Sequence, residues 1–266
     1  MDLGLKGKVA LITGGSSGIG AGVCRVLASE GCDIVINYCH SQAKAEAHAQ
    51  ELIEKYGVRA IAVKADCGVE EEVIAMFKEA VEKMGTLDIL MNNAYNVSTA
   101  APRIPFTEQT LDDLRRVEKV VIEGTFICTR EFIKVLKSQN KGGKIVNTLT
   151  KSMFWSSTVF NEVYATCKGA ISAFTRAIAH EFGMEDIYCN AIVPGYCRND
   201  RTDVNSIKYQ RVIKFLPLKR YAEPEEMGYA VAWLCSDKAL QTNGATIDLT
   251  GGTLVGDYID KTVKFI

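Results

Sequence analysis

The segment KVALITGGSSGIG, residues 8–20, joins a short apolar run to a turn that contains four glycines. The run is typical of a β-strand, and a helical pattern follows from Ile19. Glycines permit a tight turn and a close approach of the backbone, and the free amides at the start of a helix attract phosphate groups. The strand, the turn and the helix therefore predict a dinucleotide site, although a glycine-rich connection of no function has the same composition. The residues of the turn assigned to this site are Gly14, Ser16, Ser17, Gly18, Ile19 and Gly20.

Strand-like and helix-like segments alternate along the rest of the chain. Further strands are predicted at 33–38, 59–66, 87–94, 143–150, 187–195 and 245–250, and helices at 41–56, 69–84, 110–138, 161–183 and after Pro224. Near-continuous apolar strands that alternate with helices predict the α/β class, with a doubly wound parallel sheet of the Rossmann type. No repeat or Pro/Gly/Ser-rich linker divides the chain, so a single domain over 1–266 is expected, with ligands at the carboxyl ends of the strands.

Composition excludes several classes of partner. The 266 residues carry a net charge of −1, with a pI near 6.3, so no general attraction to nucleic acid or to a membrane surface is expected. The sequence shows neither a secretory signal pattern nor an uncharged run of membrane-spanning length, which favours a cytoplasmic location. Nine cysteines without a CxxC pair and three scattered histidines predict reduced thiols and no metal site.

The ends of the second and third predicted strands indicate which dinucleotide is preferred. An acidic residue that binds the ribose hydroxyls of NAD would be expected where Tyr38 stands. No carboxylate there repels a 2′-phosphate, and His40 and Ser41 are able to hold one, so NADP(H) is favoured over NAD(H). Asp66, followed by Cys67, ends the third strand and is placed to bond the adenine amine, although a loop carboxylate is the alternative.

The segment YATCK, residues 164–168, places a tyrosine and a lysine four residues apart. On a helix these two side chains share a face. The spacing alone also fits an ordinary helix surface. A phenol with a pKa near 10 exchanges protons poorly at neutral pH, and an adjacent ammonium group favours its ionised form.

Four features in order closely resemble the short-chain dehydrogenase/reductase family over essentially the whole chain: TGGSSGIG at 13–20, NNA at 92–94, YATCK at 164–168 and PG at 194–195. The resemblance implies hydride transfer between NADP(H) and a carbonyl or secondary alcohol. It implies that Tyr164 is the catalytic acid/base and that Lys168 tunes it and binds the nicotinamide ribose. It also places Asn92, Ala94, Pro194 and Gly195 beside the cofactor, and it implies a substrate loop at about 196–220. It further implies that the chain forms a homo-oligomer, either a dimer or a tetramer.

Three positions depart from the pattern of this family. The usual serine, about 13 residues before the tyrosine, is replaced: Thr150 matches by strand position, Lys151 by spacing, and Ser152 follows. Thr150 is favoured over Ser152 from its order and alignment at the end of the strand, and a threonine hydroxyl is able to donate the same bond. Val121 stands where the family has an asparagine thought to hold a proton-relay water, and Tyr95 stands where glycine is commoner.

The nature of the substrate stays open at the level of sequence. The predicted substrate loop contains seven basic residues and two aspartates, and a predicted helix adds four basic residues at helical spacing: Arg130, Lys134, Lys137 and Lys141. This surplus of positive charge suits an acidic substrate or an acyl thioester. The alternative is that these side chains form a solvated surface. The aromatic residues Tyr95, Phe154, Trp155, Phe160 and Tyr196 suit a flat or hydrophobic ketone equally well. Two alternatives remain: a nucleotide-binding protein with little or no redox activity, and an enoyl-thioester reductase, against which the intact tyrosine–lysine pair argues. The apolar C-terminal segment 256–266 is expected to dock on the domain.

Overall fold

The computed structural model describes residues 1–95, 104–154 and 161–254. Within these ranges seven strands form one parallel sheet in the order β3-β2-β1-β4-β5-β6-β7. The strands are β1 (Val9–Ile12), β2 (Asp33–Tyr38), β3 (Ala60–Lys64), β4 (Ile89–Asn92), β5 (Gly143–Thr148), β6 (Ile187–Pro194) and β7 (Thr246–Leu249). The chain order reverses between β1 and β4, and this switch point opens a crevice at the carboxyl ends of the strands. The predicted doubly wound Rossmann fold is confirmed.

Helices cover both faces of the sheet. They are α1 (Gly18–Ser29), α2 (Gln42–Tyr56), α3 (Glu70–Met84), α4 (Leu111–Glu118), α5 (Gly124–Ser138), α6 (Glu162–Phe182), α7 (Ile207–Phe215) and α8 (Pro224–Cys235). No helix in the described part of the chain is long and apolar enough to cross a membrane.

Two hydrophobic cores lie on opposite faces of the sheet. One packs α1, α2 and α8 against residues such as Ile12, Ile34 and Ile36, and the other packs α3 and α5 against Leu11, Val35 and Leu90. Adjacent strand residues point to opposite faces, which is why Leu11 and Ile12 enter different cores. Strands buried on both faces account for the near-continuous apolar runs in the sequence.

Helix α8 rests directly on α1. A methyl group on Gly22 of α1 would lie 2.4 Å from the Cβ atom of Pro224, the first residue of α8. Because Gly22 has no side chain, α1 and α8 are able to pack this closely.

Helices α4 and α5 form one continuous helical segment with a single wide turn between them. Residues Lys119–Glu123 adopt a π-helical turn, in which the amide of Gly124 donates to the carbonyl of Lys119, five residues earlier. Such turns occur often at functional sites. Val121 lies inside this turn, is 1% exposed, and packs with Val117, Leu149 and Val163 in a third, smaller core.

The structure adds one element that the sequence pattern did not indicate. Helix α7 lies within the segment that read as irregular after residue 196, where the side chain of Ser206 accepts a hydrogen bond from the Tyr209 amide and caps the helix. All nine cysteines lie in the described ranges and none forms a disulfide. The expectations for Trp155, Phe160 and the segment 256–266 concern residues outside the described ranges.

Candidate active site

A cavity of about 490 Å³ lies at the carboxyl ends of the strands, at the switch point of the sheet. The turn after β1 contributes Gly14, Ser16, Ser17, Gly18 and Ile19 to its wall. The ends of β2, β3 and β4 contribute the predicted residues Tyr38, His40, Ser41, Asp66, Cys67 and Ala94. Tyr164 and Lys168 of α6 close the far end. Most of the residues assigned from sequence to a cofactor site thus border one continuous space.

The glycines of the turn have different structural roles. Gly18, the first residue of α1, has a φ of +52°, a conformation that residues with a side chain rarely adopt. Gly20 does not line the cavity: a methyl group there would lie 2.4 Å from the Gly14 carbonyl oxygen, so this glycine lets α1 pack against the turn. The close packing of α1 against the turn therefore fixes the conformation of the turn.

The end of β2 contains a polar residue that the sequence interpretation missed. Asn37 is 2% exposed, and its Oδ1 atom accepts hydrogen bonds from the Gly14 amide at 3.1 Å and the Cys67 thiol at 3.5 Å. Its Nδ2 atom donates to the Ala65 carbonyl at 3.0 Å. Asn37 therefore ties the glycine turn to the end of β3. The available signal was a polar residue directly after the apolar run Ile34, Val35 and Ile36 of the strand.

The two asparagines of the NNA segment face different surroundings. Asn92, the last residue of β4, points into the core, where its Nδ2 atom donates to Thr129 at 3.1 Å and to Asn147 at 2.8 Å. Asn93, one residue later, lines the cavity and donates from Nδ2 to the Thr13 carbonyl at 3.1 Å. Neighbouring strand residues face opposite ways, so Asn93, which was not assigned from sequence, is the asparagine that borders the cavity.

Tyr164 and Lys168 of α6 line the cavity together, and Thr150, just after β5, lies near Tyr164. Tyr164 and Lys168 share a face of α6, and the Lys168 ammonium lies 5.8 Å from the centre of the Tyr164 ring. Thr150, which follows β5, lies close enough to Tyr164 for its hydroxyl to lower the pKa of the phenol. Ser152 faces elsewhere, because its Oγ atom accepts from Asn161 Nδ2 at 3.3 Å.

Burial sets the protonation of this pair. Lys168 is 3% exposed and donates from Nζ to the Thr148 carbonyl oxygen at 2.6 Å. Burial lowers the pKa of Lys168 to about 8. Burial, with a smaller contribution from Tyr95, raises the pKa of Tyr164 well above its ordinary value, and the Thr150 hydroxyl opposes that rise. At neutral pH the site therefore holds an ammonium group next to a protonated phenol.

Tyr95 and Val121 shape the wall behind Tyr164. The ring of Tyr95 lies 4.6 Å from that of Tyr164, centre to centre, with the two planes tilted by 44°. Tyr95 thus contacts the candidate catalytic ring and lines the cavity itself. Val121 presents only carbon atoms to its surroundings, and its neighbour Val120 is the residue of the π-helical turn that reaches the cavity.

The segment after β6 roofs the cavity. Cys197, Arg198 and Asn199 line it from the side opposite the strands, and a methyl group on Gly18 would lie 3.9 Å from the Asn199 Cβ atom. Two ion pairs attach this segment to the rest of the domain: Lys44 of α2 pairs with Asp200, and Arg198 pairs with Glu223 at 2.7 Å. We call residues 197–200 the roof segment.

The basic residues predicted near the site divide into ion-paired and exposed groups. Of the seven basic residues at 196–220, Arg198 and Arg220 pair with Glu223 and Glu226, and the other five are exposed: Arg201, Lys208, Arg211, Lys214 and Lys219. Arg130, Lys134 and Lys137 of α5 and Lys141 just after it are ion-paired as well. These four residues are therefore neutralised, whereas five basic residues of the segment 196–220 stay exposed.

Pro194 and Gly195 lie next to a second space rather than in the wall of the first. Pro194 ends β6 and pairs in register with Leu249. Gly195 borders a cavity of about 310 Å³ together with Tyr196 and Thr250. A methyl group on Gly195 would lie 2.8 Å from the Thr250 Cα atom, so this glycine is required by close backbone packing.

The residues present fit a dinucleotide. Gly18 and Gly20 form a cradle that side chains would obstruct, by backbone conformation at one position and by contact at the other. The Thr148 Oγ1 atom, at the wall of the cavity, is buried without a hydrogen-bond partner among the described residues. An unpaired buried hydroxyl facing a cavity suits a ligand that supplies the missing hydrogen bond.

The fold and this site define a class of single-domain dinucleotide-binding proteins, and comparison with known proteins names it. A family model described as enoyl-(acyl carrier protein) reductase matches residues 14–253. Glucose 1-dehydrogenase 2 of Bacillus subtilis (strain 168) is 33% identical over 252 residues, which cover 93% of this chain and 95% of that protein. The 3-oxoacyl-[acyl-carrier-protein] reductase FabG of Aquifex aeolicus (strain VF5) is 33% identical over 253 residues, covering 95% and 99%.

A solved structure agrees with these relatives. L-sorbose reductase from Gluconobacter frateurii, complexed with NADPH and L-sorbose, superposes with a TM-score of 0.87 at 26% identity, covering 96% of this chain and 99% of that one. The chain belongs to the short-chain dehydrogenase/reductase family of oxidoreductases.

Proposed function

We propose that this protein transfers a hydride between NADP(H) and a ketone or secondary alcohol. The observation that carries the proposal is the grouping of the Tyr164 phenol with the Lys168 ammonium, which lies 5.8 Å from the centre of the Tyr164 ring, and with the Thr150 hydroxyl, which lowers the pKa of Tyr164. A donor for the substrate oxygen, a proton source and a nearby cation are the groups that carbonyl reduction requires.

Each of the three residues has a distinct role in this proposal. Thr150 donates a hydrogen bond to the carbonyl oxygen and so orients the substrate. Tyr164 transfers its phenolic proton to that oxygen as negative charge develops, and its raised pKa keeps the proton in place until then. Lys168 stabilises the phenolate left behind, since an ammonium group in a site of low dielectric favours the nearby anion. The bound cofactor supplies the hydride.

We propose NADP(H) rather than NAD(H) as the cofactor. The wall of the cavity beyond β2 consists of Tyr38, Cys39, His40 and Ser41, with no carboxylate to repel a 2′-phosphate. The NADPH bound by the L-sorbose reductase structure supports this preference by analogy. It is tested by comparing kcat/KM for NADPH and NADH. A Ser41→Ala variant should lose affinity for NADPH and keep its affinity for NADH.

The family model's description favours a second candidate, reduction of an enoyl thioester. The arrangement of Thr150 and Tyr164 speaks for carbonyl reduction instead, because both hydroxyls serve an oxygen atom rather than a carbon–carbon double bond. A β-ketoacyl thioester and the matching enoyl thioester, offered separately with NADPH, distinguish the two reactions by the product formed. A nucleotide-binding protein without turnover, to which Val121 points, would bind NADPH and reduce neither.

We also propose that the protein is a homo-oligomer, either a dimer or a tetramer, located in the cytoplasm. Phe126 of α5 is 51% exposed, and its ring lies 6.2 Å from that of Phe174 on α6, so an aromatic pair faces outward from two long helices. Light scattering after size-exclusion chromatography measures the mass. A Phe126→Glu variant that stays folded should shift the mass toward that of one chain.

The decisive experiment measures NADPH oxidation against ketones, diketones, steroid ketones and β-ketoacyl thioesters. Wild type is compared with Tyr164→Phe and with Tyr229→Phe, since Tyr229 is 63% exposed on α8 and matches the chemical change. Tyr164→Phe should abolish turnover and keep NADPH binding, measured by fluorescence, whereas Tyr229→Phe should behave as wild type. Equal turnover in all three proteins would contradict the proposal.

A further inference from the structure

Thr148, the last residue of β5, has a buried hydroxyl group that lacks a partner. The residue is 7% exposed, and its Oγ1 atom makes no hydrogen bond within the described part of the chain. The preceding residue, Asn147, is also buried, but its side chain accepts a hydrogen bond from Asn92 at 2.8 Å and donates one to Thr175 at 2.9 Å. Side chains alternate along a strand, so Asn147 enters the core whereas Thr148 faces the cavity of about 490 Å³.

A buried hydroxyl group without a partner costs free energy. A valine at position 148 would have nearly the same shape and no polar atom to leave unpaired. The hydroxyl group is accounted for when a ligand supplies the missing hydrogen bond. Because Thr148 lines the cavity that fits a dinucleotide, the ligand that occupies this cavity is the candidate partner.

The backbone of the same residue holds Lys168. The Thr148 carbonyl oxygen accepts the 2.6 Å hydrogen bond from the Lys168 Nζ atom, and both residues border the cavity. An ammonium group has three donors and no acceptor, and this bond uses one of them. Position 148 therefore places a hydroxyl oxygen, which is able to accept, near an ammonium group, which is able only to donate.

The direction of the bound cofactor follows from the proposed reaction. The hydride has to reach a carbonyl carbon beside Tyr164, so the nicotinamide and its ribose belong at the end of the cavity that Tyr164, Lys168 and Thr148 border. A ribose carries neighbouring hydroxyl groups, each of which donates one hydrogen bond and accepts others. Lys168 is able to donate to these oxygens, but it is unable to accept their protons. The Thr148 hydroxyl is able to accept one.

We propose that Thr148 is a positioning residue for the cofactor, whose hydroxyl group accepts a hydrogen bond from a hydroxyl of the nicotinamide ribose. The inference rests on the proposed function, in which a nicotinamide dinucleotide carries the hydride. It assigns the acceptor that complements the donors of Lys168. One residue then fixes both partners, Lys168 through its carbonyl oxygen and the sugar through its hydroxyl group.

The test measures binding of two ligands by titration calorimetry. NADPH contains the nicotinamide ribose, whereas adenosine 2′,5′-bisphosphate contains only the adenosine half of the cofactor. Thr148→Val removes the hydroxyl group at nearly constant shape and should weaken NADPH binding by about 3- to 10-fold, the range for one hydrogen bond. It should leave the affinity for the bisphosphate within about 1.5-fold of wild type. Thr148→Ser keeps the hydroxyl group and should keep most of the affinity for NADPH.

Thr250→Val is the matched control. Thr250 is 6% exposed, and its Oγ1 atom also lacks a partner among the described residues, but this residue lines the separate cavity of about 310 Å³. The same chemical change at this position should leave the affinity for both ligands at the wild-type value.

The unfolding temperature gives a readout that does not depend on a titration. Because valine leaves no hydroxyl group unpaired, ligand-free Thr148→Val should unfold at the same temperature as wild type or at a higher one. Saturating NADPH should raise the unfolding temperature of wild type by more than that of the variant, since the variant binds it less tightly.

Each outcome separates the inference from the proposed function. An equal loss of affinity for both ligands in Thr148→Val would show that the hydroxyl group shapes the whole cavity, and would overturn the inference. Unchanged NADPH affinity, the result expected if the hydroxyl binds water only, would overturn it as well. So would a lower unfolding temperature of the ligand-free variant, which would make the hydroxyl group structural. In all three cases wild-type turnover on the ketone panel would leave the proposed function intact. Wild type that binds neither NADPH nor NADH would overturn both together.

Discussion

Lys168 donates a 2.6 Å hydrogen bond to the Thr148 carbonyl oxygen, which anchors its ammonium group to the end of β5 on the side of the Tyr164 ring. Because burial lowers the pKa of Lys168 to about 8, the neutral amine predominates at pH 8.5. A bound nucleotide brings hydroxyl and phosphate oxygens, which favour the charged form and raise this pKa again.

Nucleotide binding at pH 8.5 should therefore take up roughly half to three-quarters of a proton. Titration calorimetry in two buffers with different ionisation enthalpies measures this uptake. It should shrink at pH 6.5, where Lys168 is already charged, and disappear in Lys168→Met. An uptake that is unchanged in the variant would assign the proton to another group.

The hydroxyl of Thr150 should matter far more to catalysis than that of Ser152. Thr150→Ala removes the proposed donor to the substrate oxygen and should lower kcat by roughly 100-fold, comparable to the loss of one oxyanion donor. Thr150→Ser keeps the hydroxyl and should retain most of the activity. Ser152→Ala is the matched control, because Ser152 accepts a hydrogen bond from Asn161 instead. If Ser152→Ala were the damaging change, the two roles would have to be exchanged.

The ion pair between Lys44 and Asp200 should slow the release of nucleotide. The roof segment must move for a ligand to leave the cavity, and this pair ties it to α2. An exposed pair contributes about 0.2–1 kcal/mol, so Lys44→Met should raise the dissociation rate by roughly 1.5- to 5-fold. Stopped-flow displacement of NADPH measures the rate.

Salt gives this prediction a second readout. Screening should raise the wild-type dissociation rate toward that of Lys44→Met, and the variant should respond less. Lys83→Met, which removes the exposed pair with Glu79 on α3 far from the roof, is the control. A wild-type rate that is independent of salt, together with an unchanged rate in Lys44→Met, would show that the roof opens without breaking this pair.

The protein should lose stability in mild alkali. Burial raises the pKa of eight cysteine thiols, although for Cys128 a hydrogen bond with Cys67 is the larger cause: Cys24, Cys32, Cys39, Cys128, Cys167, Cys189, Cys197 and Cys235. Above about pH 9 these thiols ionise in the unfolded chain but stay protonated in the folded one, so unfolding releases protons and the free energy of unfolding falls with pH. Lys168, with a folded pKa of about 8, acts in the opposite direction, as do Lys144 and Lys151, whose pKa values burial also lowers, but these are three groups against eight.

The expected loss between pH 9 and pH 10 is on the order of 5 kcal/mol. Urea unfolding under reducing conditions at pH 7, 8, 9 and 10 measures it. Cys24→Ala, which removes one buried thiol, should show a shallower decline by about 1 kcal/mol per pH unit, whatever its stability at pH 7. A free energy of unfolding that is constant from pH 8 to pH 10 would contradict the prediction.

Features determined by local chain geometry were predictable from the sequence. The glycine turn, the alternation of strands and helices, and the pairing of Tyr164 with Lys168 on one helix face all depend on residues close together in the chain. Features that depend on a partner far along the chain were not. The ion pair of Arg130 with Glu70 joins residues 60 positions apart, and the charge of Arg130 alone read as part of a basic patch.

The place of Asn93 in the cavity wall was not predictable for a different reason. Asn92 and Asn93 are identical in type, and only the register of β4 in the sheet decides which one faces the cavity. Helix α7 was missed because Lys208, Arg211 and Lys214 interrupt the pattern of apolar positions by which helices are recognised. Asn37 was visible as a polar residue in an apolar strand, but its partners in the glycine turn and at Cys67 appear only once the strands are assembled.

The contact between Gly22 and Pro224 has a mechanical consequence. With no room for even a methyl group between them, α8 is unable to slide along α1. The roof segment is joined to the start of α8 by the pairing of Cys197 with Ala222 and of Arg198 with Glu223. The roof segment is therefore connected through α8 to α1, the helix that follows the glycine turn. Any shift of α1 on nucleotide binding is expected to move the roof segment as well. We expect an ordered kinetic mechanism, in which the nucleotide enters first and leaves last.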